Sequence, residues 1–244
     1  DSYTVRLMQE TESGSIELAS TSGLAIASLE EMNYSFDITF TDVENTKIYT
    51  EIVYASDLKP ENNMTLPINI SVKPENTVHT VIAPEQNEGW SYPVGGGSYV
   101  LTQSIYYASE LQNSGIVNGI SIYYDNTGLT EIMDYPLQLW MVENDSTDVA
   151  GEWINSTEMQ LVFDGTVDFR RGYNEVHIPF DDNFIYTGEN IVLMYNDPAN
   201  TYQSLIFYIS YSPEVRTRYS NDWSAPMNHE DPSAYWASEM YEYL

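Results

Sequence analysis

Apolar and polar positions alternate with a period of two through most of this chain, and that period predicts β-strands. Tyr34, Phe36, Ile38 and Phe40 interleave with Ser35, Asp37 and Thr39, which gives a strand with one apolar and one polar face. The pattern returns at Ile48, Thr50, Ile52 and Tyr54, and again in Leu66, Ile68, Ile70 and Val72 against Pro67, Asn69, Ser71 and Lys73. Turn residues at 42–45 and 60–63 separate these runs. With residues 2–8 and 14–20 added, about five strands fit before residue 76.

A boundary is expected between residues 74 and 95. Pro74, Pro84, Pro93 and the run Gly95-Gly96-Gly97 interrupt the alternation there. Beyond it, strands are expected at residues 99–106, 116–124, 137–143, 159–163, 175–179, 191–195, 205–211 and 214–219. Eight strands in succession fit a jelly-roll-type sandwich. Residues 108–113 read as one short helical turn, and no long stretch keeps the 3.6 spacing of an amphipathic helix. The chain is therefore expected to be all-β, with domains over residues 1–76 and 77–232 and an apolar tail over 233–244.

Composition narrows the partners. The 244 residues carry a net charge of −29, with Lys47, Lys59 and Lys73 the only lysines, so a phosphate backbone is repelled and nucleic acid is excluded. Acidic residues are spread along the chain instead of forming one block, and aromatic residues make up 14% of it; both features point to a folded protein. Cysteine is absent, so no disulfide fixes the compartment. Five N-x-S/T sequons, Asn63-Met64-Thr65 among them, are compatible with glycosylation outside the cell. No run of eighteen apolar residues occurs and no charged-then-apolar leader precedes Asp1; a soluble, processed chain without a membrane span is the expectation.

Two segments resemble known families. Tyr3-Thr4-Val5-Arg6-Leu7-Met8, Ile16-Glu17-Leu18-Ala19-Ser20, the run over 34–40, and Asp57 followed by Glu61-Asn62-Asn63-Met64-Thr65 resemble the bacterial cell-adhesion-related Ig-like domain known as CARDB. That family carries one or two strands before its Y-x-V-x-L strand, whereas this chain starts at the latter. The resemblance implies an Ig-like β-sandwich lacking its first strand or strands, since such sandwiches have about seven. In the second half, Ser104-Ile105-Tyr106-Tyr107-Ala108-Ser109-Glu110-Leu111, Gly119-Ile120-Ser121-Ile122-Tyr123-Tyr124, Val162-Phe163-Asp164-Gly165-Thr166-Val167 and Phe184-Ile185-Tyr186-Thr187-Gly188-Glu189-Asn190-Ile191-Val192 are similar to a jelly-roll module of secreted bacterial surface and adhesin-like proteins. It implies a secreted, modular and non-catalytic role.

Motifs of chemistry are scarce. G-x-S-x-G, H-E-x-x-H and a Walker loop are all missing, and His79, His177 and His229 lie far apart in sequence. A Ser-His-Asp triad assembled in space stays open, against unrelated strand-end histidines. Calcium is the one cofactor the residues suggest: Glu143, Asp145 and Asp148 fall in one loop and Asp181 and Asp182 in another, offering hard oxygen donors, with solvated turn carboxylates as the alternative. Trp90 and Trp223, in turn-rich segments, and Tyr202 are candidates for stacking on sugar rings, with core packing as the alternative.

The tail is too apolar for an idle end. Trp236, Met240, Tyr243 and Leu244 fall on one helical face, while a strand would align Tyr235, Ala237, Glu239, Tyr241 and Tyr243. Tyr235, Trp236, Met240, Tyr241, Tyr243 and Leu244 are thus candidates for contact with the chain's own second domain or with another subunit. These features together predict a non-enzymatic structural or adhesive subunit of an extracellular bacterial surface assembly, with copies of itself or other surface modules as partners. Strand donation between subunits would build it into a filament. A carbohydrate-binding accessory module of a secreted peptidase or glycosidase, with polysaccharide as its partner, is the alternative.

Overall fold

The computed structural model of the protein describes residues 2–11, 14–27, 30–40, 45–72, 75–82, 87–89, 93–94, 98–209, 213–235 and 239–241. The chain is all-β and divides into two compact units, Asp1–Thr77 and Val78–Leu244. Among the described residues no helix is long and apolar enough to cross a membrane.

The first unit is one antiparallel sheet of β1 (Thr4–Thr11), β2 (Gly14–Ser22), β3 (Asn45–Val53) and β4 (Ile68–Ser71), in the order β2-β1-β3-β4. The period of two sorts its faces. Arg6 pairs with Glu17 and Glu51, and Lys47 with Glu10, on one face. Val5, Leu7, Ile48 and Ile52 stand on the other, placed by the register Val5↔Ile52 and Gln9↔Ile48. Only Val5, Leu7, Met8 and Ile48 are buried apolar side chains among the described residues of this unit.

Residues 34–40 depart from expectation. Their alternation persists, with Tyr34, Phe36, Ile38 and Phe40 half-buried and Ser35, Asp37 and Thr39 exposed, but the segment joins no ladder among the described residues. It is anchored through Tyr34, whose hydroxyl meets that of Tyr3 at 2.6 Å and accepts the Leu24 N–H. Gly23 is required at this anchor, because the Tyr3 ring lies 2.1 Å from where a Cβ would be. A second layer of an Ig-like sandwich is therefore not formed by the described strands.

The second unit is a two-layered sandwich. Its strands are β5 (Asn87–Glu88), β6 (Val100–Tyr106), β7 (Gly115–Asn126), β8 (Ile132–Asn144), β9 (Gln160–Phe169), β10 (Gly172–Tyr186), β11 (Asn190–Asp197), β12 (Leu205–Ile209), β13 (Thr217–Asn221) and β14 (Glu239–Tyr241). One sheet runs β14-β13-β6-β11-β8-β9 and the other β10-β7-β12-β5. The pairs β6–β13, β7–β12 and β8–β11 are nested antiparallel partners, as in a long hairpin folded over itself, which is the jelly-roll wrap. All eight strands read from the alternation are present, and the short helix α1 (Ala108–Leu111) lies where the helical turn is expected.

The core lies between the sheets. Phe169 is its hub, edge-to-face with Tyr124, Tyr135 and Phe207 at centroid distances of 5.0, 5.7 and 6.0 Å. The turn from β9 to β10 carries the chain from one sheet to the other. It is held by Asn174 Nδ2, which donates to the carbonyls of Arg170, Arg171 and Gly172, while Gly172 takes φ +80°, a region that favours glycine.

One expectation is corrected here. Asp181 and Asp182 lie within β10, at the irregularity between Pro179 and Phe184, not in a loop. Of the two conformations open to the tail, the described residues take the strand: Glu239–Tyr241 pairs with β13 as the last strand of the sheet.

Candidate functional site

The outer face of the six-stranded sheet gathers the most unusual chemistry. Cross-strand register sets Met240, Arg218, Gln103, Met194 and Trp140 in one row over β14, β13, β6, β11 and β8. Residues directly opposite one another on neighbouring strands share a face, and the face that carries Arg218, Gln103, Met194 and Trp140 is roofed by Trp153, Met159, Met227 and Tyr235.

Hydrogen bonds pin the roof. The Trp153 indole N–H donates to the Tyr235 carbonyl at 2.9 Å, and the Asn228 N–H donates to the Tyr235 hydroxyl. Ser156 N–H donates to the His229 carbonyl, and Ser156 Oγ stands 2.7 Å from His229 Nδ1. The His229 ring lies 4.5 Å from that of Trp140. Burial lowers the imidazole below its ordinary range, against the pull of Glu230 and Asp164. Two of the three histidines pair with a serine, His229 with Ser156 and His177, whose Nδ1 stands 3.2 Å from Ser121 Oγ, and each pair has the outline of a triad's first two members. Ser156 is buried, and its N–H and its hydroxyl are both committed to His229, so the geometry is that of a tie between two loops.

Two arginines stand on the outer face of β13 and its N-terminal flank. Arg216 donates Nε–H to the Ile105 carbonyl and makes a two-pronged contact with Glu110 at 3.2 and 2.6 Å. Its guanidinium also covers the Tyr107 ring at 3.7 Å. Glu110 sits in the first turn of α1 and accepts the Tyr107 N–H as well, so the short helix is built around this ion pair. Arg218 is stacked 4.4 Å over the Trp153 ring, and its Nε and Nη1 are buried with no hydrogen-bond partner. Neither arginine is among the residues expected from the sequence, although Arg216-Thr217-Arg218-Tyr219 carries a signal for both, putting two of only eight cations at strand spacing.

The acidic candidates are dispersed. Glu143 is enclosed by the N–H groups of Thr187, Gly188 and Glu189 and by the Thr187 hydroxyl. Burial raises its carboxyl, but these donors outweigh burial and hold it below the ordinary carboxylate value. Asp148 caps its own turn by accepting the Ala150 N–H, and Asp181 accepts the Asp164 N–H. Asp145 is exposed, and Asp182 lies on β10. Among the described residues no group of three or more His, Asp or Glu is arranged to hold a metal ion.

The aromatic candidates part company. Trp90 lies outside the described residues, while Trp223 and Tyr202 are exposed. A tyrosine cluster not expected from the sequence lies on the outer face of the four-stranded sheet: Tyr123 and Tyr173 stack at 6.3 Å, and Tyr173 meets Tyr208 edge-on at 4.9 Å. Alternation on β7, β10 and β12 turns these rings away from the core that Tyr124 and Phe207 enter. Of the tail candidates, Tyr235 is locked into the roof, and Met240 and Tyr241 lie on β14. Trp236, Tyr243 and Leu244 fall outside the described residues. Comparison with known proteins returned no matching family model, no matching curated protein and no matching solved structure.

Proposed function

We propose that the protein is a non-catalytic structural or adhesive subunit of an extracellular bacterial surface assembly, in which a strand from a neighbouring copy completes the first unit. One observation carries this reading: the described strands of that unit form a single sheet with edges at β2 and β4, beside an extended segment at residues 34–40 that has no ladder partner among the described residues. Sheet edges present rows of donors and acceptors that template another strand. Ile16 on β2 and Ile68 on β4 are 49% and 60% exposed, so an added strand would cover apolar surface worth roughly 1.5–3 kcal/mol for each large side chain fully buried. Head-to-tail addition does not close and produces a filament.

Light scattering and negative-stain electron microscopy of the purified chain, in calcium and then in chelator, test the reading. Polymers are expected, and Ile16→Lys, which adds a charge at an exposed edge position, is expected to shorten them. Their loss in chelator would put calcium at the contact. A monomer in every condition overturns the proposal. The tyrosine cluster favours a second reading, a carbohydrate-binding module, because its rings lie on an outer sheet face with Tyr173 exposed, an arrangement suited to stacking on sugars. Retention on insoluble polysaccharide that disappears in Tyr173→Ala would support it; equal retention of the variant would not.

A further inference from the structure

Three strands of the four-stranded sheet bring tyrosine rings together on its outer face. Tyr124 of β7, Val176 of β10 and Phe207 of β12 enter the core, so Tyr123, Tyr173, Glu175 and Tyr208 turn outward from the same strands. Tyr173 and Tyr208 start from the strands that flank β7, yet their rings meet edge-on at 4.9 Å, so they reach towards each other over it. Tyr123, on β7 itself, lies 6.3 Å from Tyr173 with the two rings only 16° out of parallel. Tyr173 is 55% exposed and the other two are half-buried, which leaves a flat aromatic surface with a ring facing solvent. The charge around it has one sign. Asp125 lies directly across from Tyr173, half-buried, and no hydrogen bond or ion pair among the described residues engages its carboxylate. Glu175 lies directly across from Tyr123 and accepts its hydroxyl. The outward positions, odd-numbered over 119–125 and 173–179 together with 206 and 208, hold no lysine or arginine.

Building on the carbohydrate-binding reading of this face, we infer that it takes an amino-sugar polymer whose amines are free and charged, with a sugar ring on Tyr173 and an ammonium group at Asp125. The face of an aromatic ring is negative and attracts a cation as well as an apolar sugar face. Two carboxylates and a net charge of −29 repel uronic acids and sulfated sugars, and a neutral sugar leaves the Asp125 charge unanswered. The near-parallel Tyr123 and Tyr173 rings favour a flat sugar over the lysine side chain of a basic peptide.

Nuclear magnetic resonance titration of the whole chain with the glucosamine trisaccharide, its N-acetylated counterpart and trilysine provides the test. The glucosamine trimer is expected to bind with a Kd on the order of 1 mM, and the acetylated trimer about tenfold more weakly. Tyr173→Leu, which keeps bulk and net charge but removes the ring, should abolish binding of both trimers. Asp125→Asn should remove the preference for the charged trimer and leave the acetylated one as it was. Glu152→Gln, the same change of charge at an exposed position elsewhere in the second unit, should alter neither. Glucosamine binding that survives Tyr173→Leu would be attraction to net charge alone and overturns the proposal. Trilysine binding as tight as that of the glucosamine trimer and lost in Tyr173→Leu would assign the face to a basic peptide, which also overturns it. Equal affinity for the two trimers overturns the amino-sugar assignment and leaves the carbohydrate-binding reading in place; binding of neither overturns both.

Discussion

The two units obey the same period of two and reach opposite ends of it. In the second, alternate residues of both sheets meet each other, so Phe169, Phe207, Leu137 and Leu205 are almost wholly enclosed. In the first, one sheet has an apolar face with few partners, and Ile52, Val53, Met64, Leu66 and Ile68 remain exposed. An amphipathic strand thus states only that one face wants covering. Whether it is covered depends on a second layer, and that layer is where stability is made.

The sharpest way to test this contrast is to truncate one apolar side chain in each unit. Phe169→Ala removes the hub of three aromatic contacts and should destabilise the second unit by roughly 3–5 kcal/mol, or about 6–20 °C in its melting temperature. Ile52→Ala, at a position 43% exposed, should cost under about 1 kcal/mol. Differential scanning calorimetry of both variants decides it; equal losses would mean that the first unit has a full core after all.

Much of this is legible in the sequence and some of it is not. The eight strands of the second unit follow from alternation and turn residues because each is backed by a facing sheet. Strands run longer than their alternation suggests where polar residues continue them past the apolar stretch, as Asp181 and Asp182 do within β10. Residues 34–40 have the clearest alternation in the chain and still join no ladder among the described residues, because side-chain pattern reports a buried face and carries no information on which backbone is alongside. The acidic loops have the composition of shared ligand sets, yet Glu143 and Asp148 each serve the backbone of nearby turns, a use that spacing cannot distinguish from metal binding. Arg216 and Arg218 are hard to single out in the sequence because their interest lies in partners on distant strands and loops.

A smaller effect separates the satisfied arginine from its neighbour. Glu110→Gln leaves the Arg216 guanidinium, whose side chain is 4% exposed, without a charged partner and should destabilise the second unit by about 2–3 kcal/mol. Arg216→Met removes the buried cation and leaves Glu110, 29% exposed, free to hydrate, so it should cost less. If both variants lose the same stability in urea titrations, an unpaired buried guanidinium costs nothing extra, and the loss belongs to the ion pair that both variants remove.

The smallest expected effect is acid sensitivity, and it too belongs to the second unit. His229 is lowered from its ordinary value of 6.5 by burial, and Glu143 lies below its ordinary 4.5 because four donors outweigh burial. A group whose pKa is lower in the folded protein than in the unfolded chain lends stability that is complete above the unfolded value and is lost as pH falls through the folded one. Acid should therefore weaken the second unit in two steps, first below pH 6.5 as His229 charges against Trp140 and then below pH 4.5 as Glu143 gains its proton. His229→Gln should flatten the first step alone and Glu143→Gln the second alone, each by less than the loss in Glu110→Gln. Melting temperatures measured from pH 8 down to pH 3 separate the steps; a first step unchanged in His229→Gln would mean that the tie to Ser156 holds equally well with a charged ring.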